Sequence, residues 1–214
     1  MTRKSVGQTL LEEAYKLSTP DDNAEYYNEF ASTYDLEFAD ELGWYYPAAI
    51  AEIYCDARTT TDSPIADIGC GTGLVARALD LPREQIDGID ISTEMLRISE
   101  EKQLYRMLYQ VDLTKSLTSI ENDYGAVLSA GTFTSGHLGP EPLKALLEIA
   151  RADALFVIGV KKAFYQEAGF EAVLRDLVAS ERIKDLKVAE VPMYAKKGHD
   201  HSTDTAFALV YRKS

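Results

Sequence analysis

The residues best suited to chemistry lie in Asp67-Ile68-Gly69-Cys70-Gly71-Thr72-Gly73-Leu74. The apolar run Ile65–Ile68 reads as a buried strand, and Leu74–Leu79 reads as a helix. Glycines between them let the chain turn sharply and let a ligand approach without a Cβ in the way. A second strand ends at Asp90, in Gly88-Ile89-Asp90-Ile91-Ser92, 21 positions beyond Gly69. At the carboxyl edge of a doubly wound sheet, that carboxylate sits beside the glycine loop and can accept hydrogen bonds from both hydroxyls of a ribose. Asp112, in Gln110-Val111-Asp112-Leu113, ends a third strand, where it can accept a proton from an adenine amine.

Nicotinamide dinucleotides also use a ribose carboxylate, so Asp90 alone does not choose the ligand. The glycine spacing does. A dinucleotide loop follows Gly-x-Gly-x-x-Gly, whose third glycine lets helix and strand close on the pyrophosphate site. Here the third glycine comes one residue early, at Gly73, and position 74 is Leu. Asp67 is a further mark against it, because a buried carboxylate facing the pocket repels a pyrophosphate and suits a cation. Cys70 has no basic neighbour in sequence, so its backbone rather than its thiol is what a ligand would use.

These groups need a scaffold, and the rest of the chain supplies strands alternating with helices. Further strands are expected at Tyr105–Val111, Ala126–Leu128, Leu155–Val160, Leu186–Val191 and Phe207–Tyr211. Helices are expected at Ser92–Lys102, Pro142–Arg151 and Phe170–Ser180. Such alternation predicts an α/β, doubly wound sheet with right-handed crossovers. The preceding segment reads as helical. Asp22 or Asn23 can cap a helix running through Phe30 and Tyr34, and Pro47 can open another ending near Cys55. The first ~15 residues have little apolar periodicity and are expected to be partly disordered. His199 and His201 are expected on a surface hairpin. Residues 1–60 thus read as a helical cap or lid and 61–214 as the ligand-binding domain, packed as one structural unit.

The composition narrows the function. Its 35 acidic and 22 basic residues give the 214-residue chain a net charge of −13. Residues 1–64 carry 13 acidic and 4 basic side chains, against 22 and 18 for 65–214. Such a surface repels phosphate backbones and anionic lipid, so neither nucleic acid nor a membrane is expected as partner. Two cysteines, Cys55 and Cys70, make no disulfide framework. No apolar run approaches the ~20 residues that span a bilayer, and the first residues lack the apolar core of a secretory signal. A cytoplasmic location and no metal are the expectations.

Asp67-x-Gly69-x-Gly71-x-Gly73, Asp90, Asp112 and the strand Tyr124-Gly125-Ala126-Val127-Leu128-Ser129-Ala130 together resemble the class I S-adenosylmethionine-dependent methyltransferases. The resemblance runs from about Tyr26 to Tyr211. It implies a Rossmann-like seven-stranded sheet with an antiparallel last strand, and S-adenosylmethionine as cofactor, released as S-adenosylhomocysteine. It further implies that Gly69, Cys70, Gly71 and Gly73 cradle the methionine portion and that Ile91 and Met95 flank the adenine. Leu113 would back the adenine, and Ser129 with Ala130 would line the methyl-donor end. The segments 23–35 and 131–140 are similar to the Williams–Beuren-region methyltransferase-like proteins and their bacterial relatives. That similarity makes Tyr27 and Tyr34 cofactor-side aromatics, whose spacing of seven would place them on one helix face. An ordinary aromatic core stripe is the alternative. Arg151-Ala152-Asp153-Ala154 stands where many relatives have a Pro-Gly turn, a departure outside the cofactor motifs.

The implied reaction is in-line methyl displacement to a small-molecule acceptor, in which alignment does most of the work. A base is needed only for a protonated acceptor, and His137, after the fourth strand, is the candidate, with loop capping as the alternative. Phe133 can pack on an apolar acceptor or close the core. No Asn/Asp-Pro-Pro-Tyr/Phe signature follows the fourth strand, which argues against methylation of a nucleic-acid base. The acidic lid favours a neutral or cationic acceptor over a polyanion. A protein acceptor and a catalytically silent cofactor-binding module stay open, and no obligate protein partner is evident.

Overall fold

A computed structural model describes residues 5–120 and 123–214. Seven strands form one sheet in the order β3-β2-β1-β4-β5-β7-β6. They are β1 (Ile65–Ile68), β2 (Ile86–Asp90), β3 (Leu108–Gln110), β4 (Tyr124–Phe133), β5 (Ala150–Lys161), β6 (Ile183–Pro192) and β7 (Thr205–Lys213). Strands β1 to β5 pair in parallel, and β7 runs antiparallel to both β5 and β6. This is the Rossmann-like mixed sheet with an antiparallel last strand. Its order turns back between β1 and β4, which leaves a crevice outside their carboxyl ends.

Alternate strand residues supply two cores, one on each face. On one face Ile65, Leu128 and Val157 pack with Ile50 and Tyr54 of α3 (Tyr46–Ala57) and with Val75 and Leu79 of α4 (Leu74–Leu79). On the other, Val127, Phe156 and Ile158 pack with α6 (Pro142–Ile149) and α8 (Phe170–Ala179), and Phe164 of α7 (Lys162–Glu167) packs against them. Central strands covered on both faces need apolar side chains pointing both ways, which explains the unbroken run Leu155–Val160.

Several elements differ from the sequence reading. Helix α2 (Pro20–Phe30) is capped by Thr19 rather than by Asp22 or Asn23. The Thr19 hydroxyl accepts from the Asp22 amide while the Asp22 carboxylate accepts from the Thr19 amide, a capping box followed by proline at the first helical position. The chain then turns at 31–33 and continues as a π-helical segment, Tyr34–Asp40. Tyr27 and Tyr34 therefore stand on different elements instead of one helix face. Of the first 15 residues, 1–4 lie outside the described residues, and Val6–Ala14 forms α1, opened by a Ser5–Gln8 capping box. The missing signal was tertiary, since Gly7 packs against Leu42 and the Glu37 carbonyl.

Helix α6 stops at Ile149, and β5 already begins at Ala150, bending at Asp153 with φ +64°. The loop bearing His199 and His201 folds inward, where Tyr194 meets His199 and Tyr15 meets His201 edge-on. Within 1–60, α3 lies on the sheet itself, while α1, α2 and the π-helical segment roof the carboxyl ends of the strands.

That roof is tied to the sheet by side-chain hydrogen bonds. Asp35 accepts from the Thr72 hydroxyl and from the Lys102 ammonium, both at 2.6 Å. Asn28 Oδ1 accepts from the Ser92 hydroxyl at 2.8 Å and from the Glu94 amide at 3.2 Å, at the start of α5 (Thr93–Glu101). Both ties end on segments that flank the glycine loop or the strand after it.

Candidate active site

Gly69, Gly71 and Gly73 all take positive φ, at +65°, +53° and +90°, so the turn from β1 into α4 is built from conformations that L residues resist. They are not equivalent. A Cβ on Gly69 would strike Thr132, and one on Gly73 would strike Leu104. At Gly71 a Cβ would meet no protein atom within 4 Å and would project into open space. Gly71 is thus where the backbone is laid bare to a ligand. Its amide donates to Asp90 Oδ2 at 2.8 Å, and the Ser92 amide donates to Asp90 Oδ1 at 2.9 Å. Each oxygen keeps a lone pair beyond those two bonds. Burial pushes the Asp90 carboxyl up, and the amides of Ser92 and Gly71 oppose that shift.

A cavity runs from this carboxylate across the ends of the strands, with an empty volume of about 1220 Å³, its open mouth included. Gly69, Gly71, Asp90, Ile91, Met95, Asp112 and Leu113 wall one half. Ala130, Thr134, His137 and Lys161, from the ends of β4 and β5, wall the other, and Tyr15, Asn23, Tyr27, Tyr34, Trp44 and Tyr46 close it from above and behind. Aromatic contacts run through the roof from Tyr27 to Tyr34, Phe38 and Trp44, at centroid distances of 6.3, 5.0 and 5.3 Å. Asp112 accepts from the Thr114 amide and hydroxyl and pairs with Lys115 at 3.1 Å. Burial raises its carboxyl, but the Thr114 bonds and Lys115 outweigh burial and hold it below the usual range.

A family model described as a methyltransferase domain matches residues 65–153, the stretch that carries both the glycine loop and Asp90. That stretch of the chain is similar to methyltransferase domains. Human methyltransferase-like protein 27 is 32% identical over 130 residues, which is 58% of this chain and 51% of the human protein. The chain thus spans about half the length of that curated relative. Among solved structures, the CurJ carbon methyltransferase superposes with a TM-score of 0.60 at 12% identity, over 97% of this chain and 68% of that one. An S-adenosylmethionine-dependent methyltransferase from Clostridium acetobutylicum ATCC 824 gives 0.59 at 14% identity, over 88% and 99%.

The cavity's walls suit S-adenosylmethionine, the cofactor that the fold implies. Gly71 offers a bare backbone, Asp90 keeps free lone pairs, and Ile91, Met95 and Leu113 give an apolar slot beside them. Eleven expected contacts line the cavity: Tyr27, Tyr34, Gly69, Gly71, Asp90, Ile91, Met95, Asp112, Leu113, Ala130 and His137. Asp67, Cys70, Gly73 and Ser129 lie behind the wall instead. The Ser129 hydroxyl donates to the Ile68 carbonyl at 2.8 Å, and Cys70 is buried, its thiol pushed up by burial. Asp67 is fully buried, accepts from the Tyr105 hydroxyl at 2.7 Å, and does not face the ligand as a cation-seeking carboxylate would. Burial, with the nearby Asp90, raises it to about 7 against the Tyr105 hydrogen bond.

His137 faces the cavity, but both ring nitrogens are engaged. Nδ1 lies 3.2 Å from the Ser135 carbonyl, which can only accept, so Nδ1 carries the proton. Nε2 then accepts from the Tyr27 hydroxyl at 2.8 Å. Burial lowers the imidazole, which keeps it neutral near pH 7. Phe133 is fully buried and edge-on to Phe170, so its ring packs in the core while it also borders the cavity. Sequence reasoning missed Tyr15, Thr134, Trp44, Tyr46 and Lys161 as wall residues, and took Asn23 only as a cap. They come from segments far apart in the chain, and no local pattern marks them.

Proposed function

We propose that the chain transfers the methyl group of S-adenosylmethionine to a small-molecule acceptor. One observation carries this reading: the cavity is a single roofed channel from Asp112 beyond β3 to Lys161 at the end of β5. Four strand spacings at ~4.8 Å make it about 19 Å across, long enough for a cofactor and an acceptor end to end. The roof, tied down by Asp35 of the π-helical segment and Asn28 of α2, leaves little room for a folded partner. A bound S-adenosylmethionine supplies a methyl group already activated by its sulfonium.

The chain's own contribution is alignment and exclusion of water. Asp90 and Asp112 fix the nucleoside end, and Gly69 and Gly71 let the backbone approach the amino-acid portion. Tyr27, Tyr34 and the apolar roof keep water from the reacting atoms. Positioning of this kind is worth about 7–11 kcal/mol of barrier. For a protonated acceptor, Tyr27 and His137 form a relay. The Tyr27 oxygen takes the acceptor's proton as the Tyr27 proton passes to His137 Nε2. Incubation with methyl-labelled S-adenosylmethionine and a metabolite extract tests the reading. Label in a low-molecular-mass product supports it, and label only in protein overturns it.

A further inference from the structure

The two halves of the cavity differ in charge. Asp90 and Asp112 stand over β2 and β3, whereas over β4 and β5 Lys161 is the one Lys or Arg among the described lining residues. The Lys161 ammonium lies 3.2 Å from Asp204 Oδ2 and 3.9 Å from the centroid of the Tyr15 ring. An ammonium has three protons, and these two neighbours occupy two of its directions. Its side chain is 16% exposed, so the third points from a largely dehydrated position.

Three residues that line the same cavity carry a buried polar atom with no hydrogen-bond partner among the described residues: Tyr46 Oη, Thr134 Oγ1 and Asn23 Oδ1. Their residues are buried, at 1%, 7% and 7% exposure. The register brings them together. Thr134 follows Phe133, which pairs with Val160, the residue before Lys161. Tyr46 Oη packs on Gly159, two residues before Lys161 and so on the same strand face. Asn23 is oriented by donating Nδ2 to the Gly136 carbonyl at 2.8 Å. Leaving such groups unmade is costly, so unpaired atoms on residues that share a cavity with a cation mark a place for a polar ligand group. Leu10, Leu11, Phe38, Trp44 and Met193 add apolar wall.

We propose that the methyl acceptor is a mainly apolar small molecule bearing one carboxylate or similar oxyanion, held by Lys161 at the ends of β4 and β5. A hydroxyl or amine of the same molecule donates to Asn23 Oδ1. This rests on the methyl-transfer reading and sharpens its substrate class. It also reverses the preference that the acidic lid suggests for a neutral or cationic acceptor, because the lid's charge lies outside and Lys161 within.

The test uses calorimetric titration of the full chain with 2-hydroxybenzoate, 4-hydroxybenzoate, 4-hydroxyphenylacetate and their primary amides. Each is run at saturating S-adenosylhomocysteine, whose own titration is recorded first. At least one carboxylate should bind more than about tenfold tighter than its amide. Lys161→Gln should erase that ratio and Lys161→Arg should keep most of it, with S-adenosylhomocysteine affinity unchanged in both. No carboxylate binding, equal binding of acid and amide, or equal weakening of both by Lys161→Gln would overturn the proposal. Failure of S-adenosylhomocysteine to bind the unsubstituted chain would overturn the methyl-transfer reading itself.

Discussion

Asp67 offers a prediction whose size follows from its position. Its carboxyl is fully buried near the end of β1, and among the described residues it accepts from Tyr105 while Oδ1 has no partner. Its pKa rises from 3.8 to about 7 on folding. A raised carboxyl binds its proton more tightly in the folded chain, so the group costs nothing well below pH 4. The cost grows as pH rises through the interval and is complete above about 7. Three pKa units at 1.36 kcal/mol each make the full cost about 4 kcal/mol. Asp67→Asn mimics the protonated form and keeps an acceptor for Tyr105. Between pH 5.5 and 8.5 the variant should gain about 2 kcal/mol on the unsubstituted chain. Urea unfolding of both proteins at four pH values isolates this group, because the other titrations cancel in the difference. A stability difference that does not change with pH would refute the reasoning.

Asp90→Ala should weaken S-adenosylmethionine binding more than tenfold, since a charged acceptor of two hydroxyls is lost, and an unchanged dissociation constant would contradict the ribose contact. Tyr27→Phe should lower kcat about 100-fold for a protonated acceptor and leave cofactor affinity within a few-fold, as rapid-quench and calorimetric measurements would show. Arg212→Ala should cost about 3 kcal/mol or more in urea unfolding, because the guanidinium meets both oxygens of the buried Asp62 at 3.0 and 2.9 Å.

The parts of the site that were legible beforehand are those a single βα unit specifies. The strand ending at Ile68, the glycine turn and the carboxylate ending β2 are local, and the sheet brings them together by pairing β1 in parallel with β2, Ile65 with Ile86 through Ile68 with Ile89. The same locality misassigned Asp67, because its burial depends on Tyr105, which leaves the line of β3 to place its hydroxyl beneath the loop. Asn23 read as a cap because its side chain type suits one. Its actual bond to Gly136 spans 113 residues, a separation no spacing rule sees. Lys161 lies one residue past the apolar run Leu155–Val160, and only the fold sets Tyr15 and Asp204 against it.

The central claim is that Gly71, Asp90 and the apolar slot beside them hold S-adenosylmethionine. Calorimetric titration of the purified chain with S-adenosylmethionine, S-adenosylhomocysteine and NADH tests it most directly. Micromolar binding of the first two with no binding of NADH is the predicted result. NADH binding, or heat from none of the three, would contradict it.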